Sequence, residues 1–238
     1  MVTPSYTVTC TYKKLIAPGV YEFAFTKPEG FTFKAGQFVL FDVPLLTNPT
    51  DMQARAYSIA STPEDLELLF AIKIVPGGRM STFVEEALRE GTTLTMKGPF
   101  GVFVLDSADH LPALFACTGA GVVPFRSIAT DALEKGDTRS MDLLFVVRNE
   151  EDFFWIDDFR ALEKQFPNFH LHLSLTQPHE GWEGIAGRVQ QALPVVQKNM
   201  SDILLYACGN PDMTKEVKSL AIGPWGMPKE RVHVEGYI

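Results

Sequence analysis

Seven consecutive residues, Arg55-Ala56-Tyr57-Ser58-Ile59-Ala60-Ser61, offer a guanidinium, a phenol and a hydroxyl within four positions. In an extended strand, Arg55, Tyr57 and Ile59 point to one face and Ala56, Ser58 and Ala60 to the other. An arginine forks onto a phosphate. A tyrosine lies flat against a large heteroaromatic ring, and a serine hydroxyl both donates and accepts at a ring edge. A half-exposed strand of a β-barrel is the other reading, and this stretch alone does not decide between them.

Three further stretches have types and spacing that suit nucleotide chemistry. Cys117-Thr118-Gly119-Ala120-Gly121-Val122-Val123-Pro124 follows an apolar run from Leu111 and precedes helical spacing through Leu133. Glycines placed there let the backbone reach a pyrophosphate at a helix N-terminus. A tight strand-to-helix turn also wants glycine, and Pro124 stands in place of the usual third one, well placed for a first helical turn. Tyr206-Ala207-Cys208-Gly209-Asn210-Pro211-Asp212-Met213 ends a late strand and opens a helix. Ligands of open α/β sheets bind beyond the carboxyl ends of strands, so Cys208 should face the same crevice as Gly119 and Gly121. A buried small apolar residue is the alternative fate of a free cysteine. Val75-Pro76-Gly77-Gly78-Arg79-Met80-Ser81-Thr82 breaks a strand pattern ahead of helically spaced Phe83, Val84, Ala87 and Leu88. A helix beginning near Met80 exposes free N–H groups behind glycines, a setting for phosphate. Ser81 as an N-cap of an ordinary helix is the competing reading.

The elements that must position these residues follow from periodicity. Six short β-rich runs, at 6–14, 20–26, 37–43, around Arg55, 66–74 and 92–97, are punctuated by Pro18-Gly19, Pro28-Glu29-Gly30 and Thr62-Pro63-Glu64-Asp65, with Leu45 to Gln53 as a polar loop. They predict a small antiparallel six-stranded barrel. After about Ala108 strands at 111–117, 142–147, 169–175 and 203–207 alternate with helices at 155–165, 187–193 and 212–221. That rhythm predicts a Rossmann-like parallel sheet covered on both faces. The expected domains are 1–108 and 109–238. In the closing run Val232 to Ile238 a strand would put Glu235 and Tyr237 on one face, as site residues or as exposed positions of an edge strand.

Composition excludes several classes. A chain of 238 residues supports two modest cores. Its formal charge of −8 argues against nucleic-acid binding, which needs a basic face. No apolar run is long enough for a bilayer, and residues 1–9 lack a secretory pattern. Cys10, Cys117 and Cys208 are odd in number and far apart, which suits free thiols in a reducing cytoplasmic setting and no zinc or iron–sulfur site. The five histidines show no metal spacing; His170 and His172 read as structural, and Phe153-Phe154-Trp155 as core or partner-facing.

With these residues in view, the chain resembles the ferredoxin–NADP reductase-like flavoproteins over essentially its whole length. Arg55-Ala56-Tyr57-Ser58 resembles their R-x-Y-S strand, and Phe33-Lys34-Ala35-Gly36-Gln37-Phe38 their F-x-P-G-Q-[FY] segment with Ala35 for proline. Gly78 to Ser81 resembles G-x-x-S, and Gly98-Pro99-Phe100-Gly101 resembles G-P-x-G. Thr118 to Pro124 resembles T-G-x-G-x-x-P, Cys208 to Met213 resembles C-G-x-P-x-M, and Glu235-Gly236-Tyr237 resembles E-x-Y, here with one extra residue, Ile238. The resemblance implies FAD held by Arg55, Ala56, Tyr57, Ser58, Ile59, Lys73, Val75, Gly78, Arg79, Met80, Ser81 and Tyr237. It implies NADH or NADPH held by Thr118, Gly119, Gly121, Pro124, Arg148, Thr176, Gln177, Cys208, Gly209 and Met213. Catalytic roles fall to Ser58 at flavin N5, Cys208 beside the nicotinamide, Glu235 with protons and Tyr237 over the flavin. Hydride would pass from nicotinamide to flavin, and single electrons onward to a ferredoxin, a flavodoxin or an oxygenase component.

Coenzyme choice rests on few residues. Neutral Gln177 stands where an arginine is common in the NADP-dependent members, which favours NADH; Arg148 or Arg188 would reverse that. Arg148-Asn149-Glu150-Glu151 resembles V-R-x-x-E-D, and a solvated loop is its plainer reading. Two rival functions remain at this level: a flavin reductase that uses flavin as a substrate, and an electron-transfer subunit whose partner supplies the acceptor site.

Overall fold

The computed structural model describes residues 3–237 and divides into Met1–Leu105 and Asp106–Ile238. In the first unit β1 (Ser5–Ala17), β2 (Val20–Thr26), β3 (Phe38–Leu45), β4 (Asn48–Ser58), β5 (Glu67–Lys73) and β6 (Thr93–Phe100) form an antiparallel sheet in the order β4-β3-β6-β1-β2-β5. Closure comes just after β4. The Ala60 N–H donates to the Leu69 carbonyl at 2.8 Å, and the Leu69 N–H to the Ser61 hydroxyl at 3.1 Å. Those bonds bring the end of β4 against β5 and curl the sheet toward a barrel, leaving the early part of β4 as an edge. Its interior is aromatic: Phe23, Phe25, Phe41 and Phe70 are fully buried with neighbouring ring centroids 5.1–6.2 Å apart. Each such ring contributes about 1.5–3 kcal/mol by burial. A single short helix, α1 (Arg79–Glu86), buries Met80, Phe83 and Val84.

Two expectations need correction here. The polar loop expected at Leu45 to Gln53 is the turn and first half of β4, with Pro44 opposite Met52 and Leu45 opposite Asn48. Polarity misled because β4 is an edge strand whose early residues face solvent. The alternation assigned to Arg55 through Ala60 also fails beyond Ser58. Ser58, Ile59 and Ala60 are buried in succession, since the chain leaves the β4 ladder there to reach β5.

The second unit holds β7 (Ala113–Thr118), α2 (Val123–Glu134), β8 (Met141–Val147), α3 (Ile156–Gln165) and β9 (Phe169–Leu175). Then follow the two-residue β10 (Ile185–Ala186), α4 (Val189–Val196), β11 (Leu204–Gly209), α5 (Pro211–Ile222) and β12 (Val232–Gly236). All six strands are parallel, in the order β10-β9-β8-β7-β11-β12. Both faces are covered, so the central strands are apolar throughout, with every residue of β11 buried. One face packs Leu114, Leu144, Leu205 and Ala207 with Leu193 of α4 and Val217 of α5. On the other, Phe115 stacks on Phe125 of α2 at 5.1 Å.

Beyond the short β10, the edge of β9 is capped by side chains of α3. The Leu171 N–H donates to Glu163 at 2.9 Å, and Arg160 donates to the Leu171 carbonyl at 3.3 Å. Burial works against the Glu163 charge, but the Leu171 N–H and Arg160 hold its carboxyl below the ordinary value.

Candidate functional site

In the first unit the candidate residues gather on β4 and at the start of α1. Arg55 lies opposite Phe41, and Tyr57 opposite Val39. Tyr57 packs on the aromatic core, with its ring 6.2 Å from that of Phe41. Burial pushes the Tyr57 phenol up to about 12, with the Arg55 guanidinium opposing, so it stays neutral. Ala56 is exposed, and Ser58 and Ile59 are buried. The Arg55 guanidinium bonds back to the Ala54 carbonyl at 2.9 Å and to the Gln53 side chain.

Between β5 and α1 the chain makes a compact cradle. The Ser81 hydroxyl accepts the Val75 N–H at 2.9 Å, so Ser81 closes the loop from the third helical position. The N-cap is Gly78, with no side-chain cap and no acidic residue in the first turn. The early N–H groups of α1 thus lack a side-chain acceptor, and Gly77, at φ 72°, has open space where a Cβ would stand. Both features fit a phosphate. Lys73 is exposed, with its ammonium on the Pro18 carbonyl; Val75 is exposed and Met80 buried. Arg79 is engaged elsewhere. It forks onto the Asp51 carboxylate at 3.0 and 3.1 Å and onto the Asp51 carbonyl at 2.6 Å, tying α1 to β4. Nothing in the sequence signals that pair, because the partners lie 28 positions apart.

In the second unit the candidate residues gather where the strand order reverses, between β7 and β11. Cys208 sits opposite Cys117 on one side and Glu235 on the other, so the three form one row across adjacent strands. Such a switch point is where open α/β sheets bind ligands. The 3-10 turn Gly119–Val122 leads into α2, with Pro124 at its second position. A Cβ on Gly121 would stand 2.2 Å from the Cys208 carbonyl oxygen, and one on Gly209 would stand 2.4 Å from the Thr118 hydroxyl. Gly119, at φ 51°, meets nothing within 4 Å. Gly121 is therefore glycine for backbone contact, and Gly119 opens onto free space. The Thr118 hydroxyl accepts the Asn210 N–H at 3.0 Å, joining the two strand ends.

α2 also lacks a side-chain cap and a first-turn acid. α5 differs: Asn210 caps it by accepting the N–H groups of Asp212 and Met213, and Asp212 sits in its first turn. Met213 is buried in the core on that side. The Asn-Pro start of α5 was a legible cap signal that the motif reading passed over.

Burial pushes the Cys208 thiol well up, the Glu235 charge adds to this, and a hydrogen bond with the Tyr237 phenol partly offsets it. Cys208 is thus an uncharged thiol at neutral pH and not a nucleophile, and it has no exposed surface here, as the reading of a buried small residue expects. The Tyr237 N–H donates to the Gly209 carbonyl at 2.8 Å, extending the β12 ladder. Ile238 lies outside the described residues. At the next strand ends, the Thr176 N–H donates to the Val147 carbonyl at 2.9 Å and the Gln177 N–H to the Arg148 carbonyl at 3.1 Å. Arg148 is exposed and without a side-chain partner among the described residues.

These residues fit two nucleotides: uncapped helix starts for two pyrophosphates, a tyrosine–serine strand for one ring and a neutral thiol for another. Fold and site define an oxidoreductase of the flavin and nicotinamide nucleotide class. Comparison with known proteins agrees. Residues 8–105 match the oxidoreductase FAD-binding domain, and residues 115–219 the oxidoreductase NAD-binding domain. The chain is 34% identical over 231 residues to ferredoxin–NADP reductase B of Sorangium cellulosum, covering 93% of each. It is 30% identical over 185 residues to the toluate 1,2-dioxygenase electron transfer component of Pseudomonas putida, covering 78% of this chain but 53% of that one. A crystal structure of an Amycolatopsis cytochrome P450 reductase superposes with a TM-score of 0.86 at 26% identity, over 99% of this chain and 71% of that one. The protein belongs to the ferredoxin–NADP reductase-like family of FAD- and NAD(P)-binding oxidoreductases.

Two outcomes follow from the geometry. Gly121→Ala should fail to fold or lose much of its thermal stability, whereas Gly119→Ala should fold with a loss of about 1–3 kcal/mol from its left-handed backbone. Similar midpoints for the two proteins in a thermal melt would refute the distinction. The Arg79 bond holds the Asp51 carboxyl below its usual value. A depressed folded-state pKa contributes stability above the unfolded value, about 4, and loses it as pH falls further. Between pH 7 and pH 3, wild type should therefore lose more thermal stability than Asp51→Asn; equal losses would remove the latch from the account.

Proposed function

We propose that this protein is an FAD-dependent NAD(P)H reductase that delivers electrons to a one-electron acceptor protein, such as a ferredoxin, a flavodoxin or an oxygenase component. The observation that carries the reading is the pair of uncapped helix starts, one beside the Arg55–Ser58 strand and one beside the Cys208 row. The names of the relatives, a ferredoxin reductase and an oxygenase electron transfer component, support the choice of acceptor. Bound flavin supplies the conversion of a two-electron hydride into single electrons.

The chain's own residues bind and orient. Arg55 faces a diphosphate after exchanging its bonds to Ala54 and Gln53, and the early N–H groups of α1 share that charge. Tyr57 supports the flavin ring and Ser58 bonds to its edge. Gly119 and the start of α2 receive the nicotinamide nucleotide's pyrophosphate. Cys208 offers an uncharged surface to the nicotinamide, and Glu235 moves protons. Tyr237 is held on the Cys208 thiol, a contact it would give up for nicotinamide to reach that thiol. The three cysteines are free and buried, which supports a reducing compartment such as the cytoplasm. No helix among the described residues is long and apolar enough to cross a membrane.

The deciding experiment is to purify the protein, pass it through gel filtration and record its flavin spectrum. A yellow protein bleached by NADH or NADPH in a stopped-flow instrument is expected; a colourless one that binds no added FAD sinks the reading. Ser58→Ala should slow that bleaching about tenfold to a hundredfold, the cost of one lost hydrogen bond, while FAD stays bound. An unchanged single-turnover rate would remove Ser58 from the chemistry.

Gln177 favours NADH, and Arg148 beside it supplies the cation through which NADPH is still accepted. Arg148→Ala should lower kcat/KM for NADPH about tenfold, the loss of one charge-assisted bond, and leave NADH unchanged. A parallel fall for both nucleotides would exclude this assignment.

A further inference from the structure

Trp155 is the one non-glycine among the described residues with a left-handed backbone, at φ 59°. A bulky aromatic residue is strained there, and glycine or asparagine occupies the region far more readily. Strain of this kind collects at functional sites when the surroundings enforce it. Here it places Trp155 as N-cap of α3, with the Arg126 guanidinium over its indole at 5.2 Å. Phe154, buried below, meets the same indole edge-on at 5.0 Å. Arg126 belongs to the first turns of α2 and also reaches Asp158 of α3 at 3.4 Å. Its side chain is 23% exposed, so the contact with the indole is largely desolvated.

The two partners come from the starts of neighbouring helices, α2 and α3. Arg126 follows the Gly119–Val122 turn by four residues, and Trp155 ends the loop that begins at Arg148. Both segments leave the carboxyl ends of adjacent strands, β7 and β8. We propose that Arg126 and Trp155 are positioning residues of the nicotinamide-nucleotide site. Their contact fixes the spacing between the glycine turn and the Arg148 loop, and so sets the groove that receives the adenosine and pyrophosphate of the coenzyme. Neither side chain is assigned a place against the reacting ring. The proposal presupposes that a nicotinamide nucleotide binds at this switch point.

The test uses the FAD-loaded full chain and reads ADP affinity by calorimetry, KM and kcat for the better coenzyme, and the thermal midpoint. In Arg126→Met and Trp155→Gly, ADP affinity should fall about threefold to thirtyfold, the worth of a partly desolvated cation–π contact. KM should rise by the same factor with kcat unchanged, the pattern of lost uniform binding. Trp155→Phe should lie between these and wild type. Trp155→Gly also relieves the backbone strain, so a merely structural role predicts a midpoint held or raised with wild-type ADP affinity. That result would overturn the proposal, as would a fall in kcat at constant KM. Should Trp155→Gly not fold, Arg126→Lys decides: it keeps the cation and should retain more ADP affinity than Arg126→Met, and equal losses would sink the idea. A wild type that binds neither ADP nor NAD(P)H defeats the nucleotide reading itself, and this proposal with it.

Discussion

The second unit depends on one close approach. The turn after β7 and the end of β11 are pressed together so tightly that neither tolerates a side chain at the point of contact. Gly121 lies against the Cys208 carbonyl, and Gly209 against the Thr118 hydroxyl, in a reciprocal fit. Two backbones at this distance leave no freedom to slide, so the row Cys117, Cys208, Glu235 is fixed in register before any ligand arrives. Preorganisation of this sort suits a protein whose task is alignment more than bond-making. It also explains why Thr118 is both a motif residue and a structural one: its hydroxyl is spent on the Asn210 N–H.

The barrel solves a comparable problem by different means. Its critical strand, β4, is an edge strand and would be the least constrained of the six. Three ties compensate. Tyr57 is anchored on the aromatic core, the chain beyond Ser58 bonds to β5, and Asp51 holds Arg79 at the head of α1. The residues that face outward are thus carried on a strand pinned near its start by Asp51 and at its end by Tyr57 and the crossing to β5. The caps follow the same logic. α1 and α2 begin without a side-chain acceptor, while α5, which carries no phosphate in this reading, is capped by Asn210.

Much of this was legible in the amino-acid sequence, and the reasons differ by element. The parallel strands were plain because burial on both faces makes them continuous apolar runs; β9 was bounded correctly at 169–175. The Gly119 turn and the Cys208 turn were legible because a glycine between strand and helix has few other uses. The start of β4 was not, because solvent on its outer face gives it a loop's composition. β10 was missed because two residues carry no period. The placement of Ser81, which closes a loop where a cap had been one reading, depends on a bond to Val75 that no local pattern encodes. The Arg79–Asp51 and Arg126–Trp155 pairs escaped for the same reason: contacts distant along the chain leave no trace in spacing.

The cap on the β9 edge has a consequence for how the protein behaves at high concentration. A bare edge recruits other strands, and here α3 fills the vacant hydrogen-bond positions around Leu171 with one carboxylate and one guanidinium. Although burial opposes its charge, the Leu171 N–H and Arg160 hold the Glu163 carboxyl below its ordinary value, so the plug carries its charge at neutral pH. That plug is what keeps the β9 edge around Leu171 from offering its backbone groups to another strand.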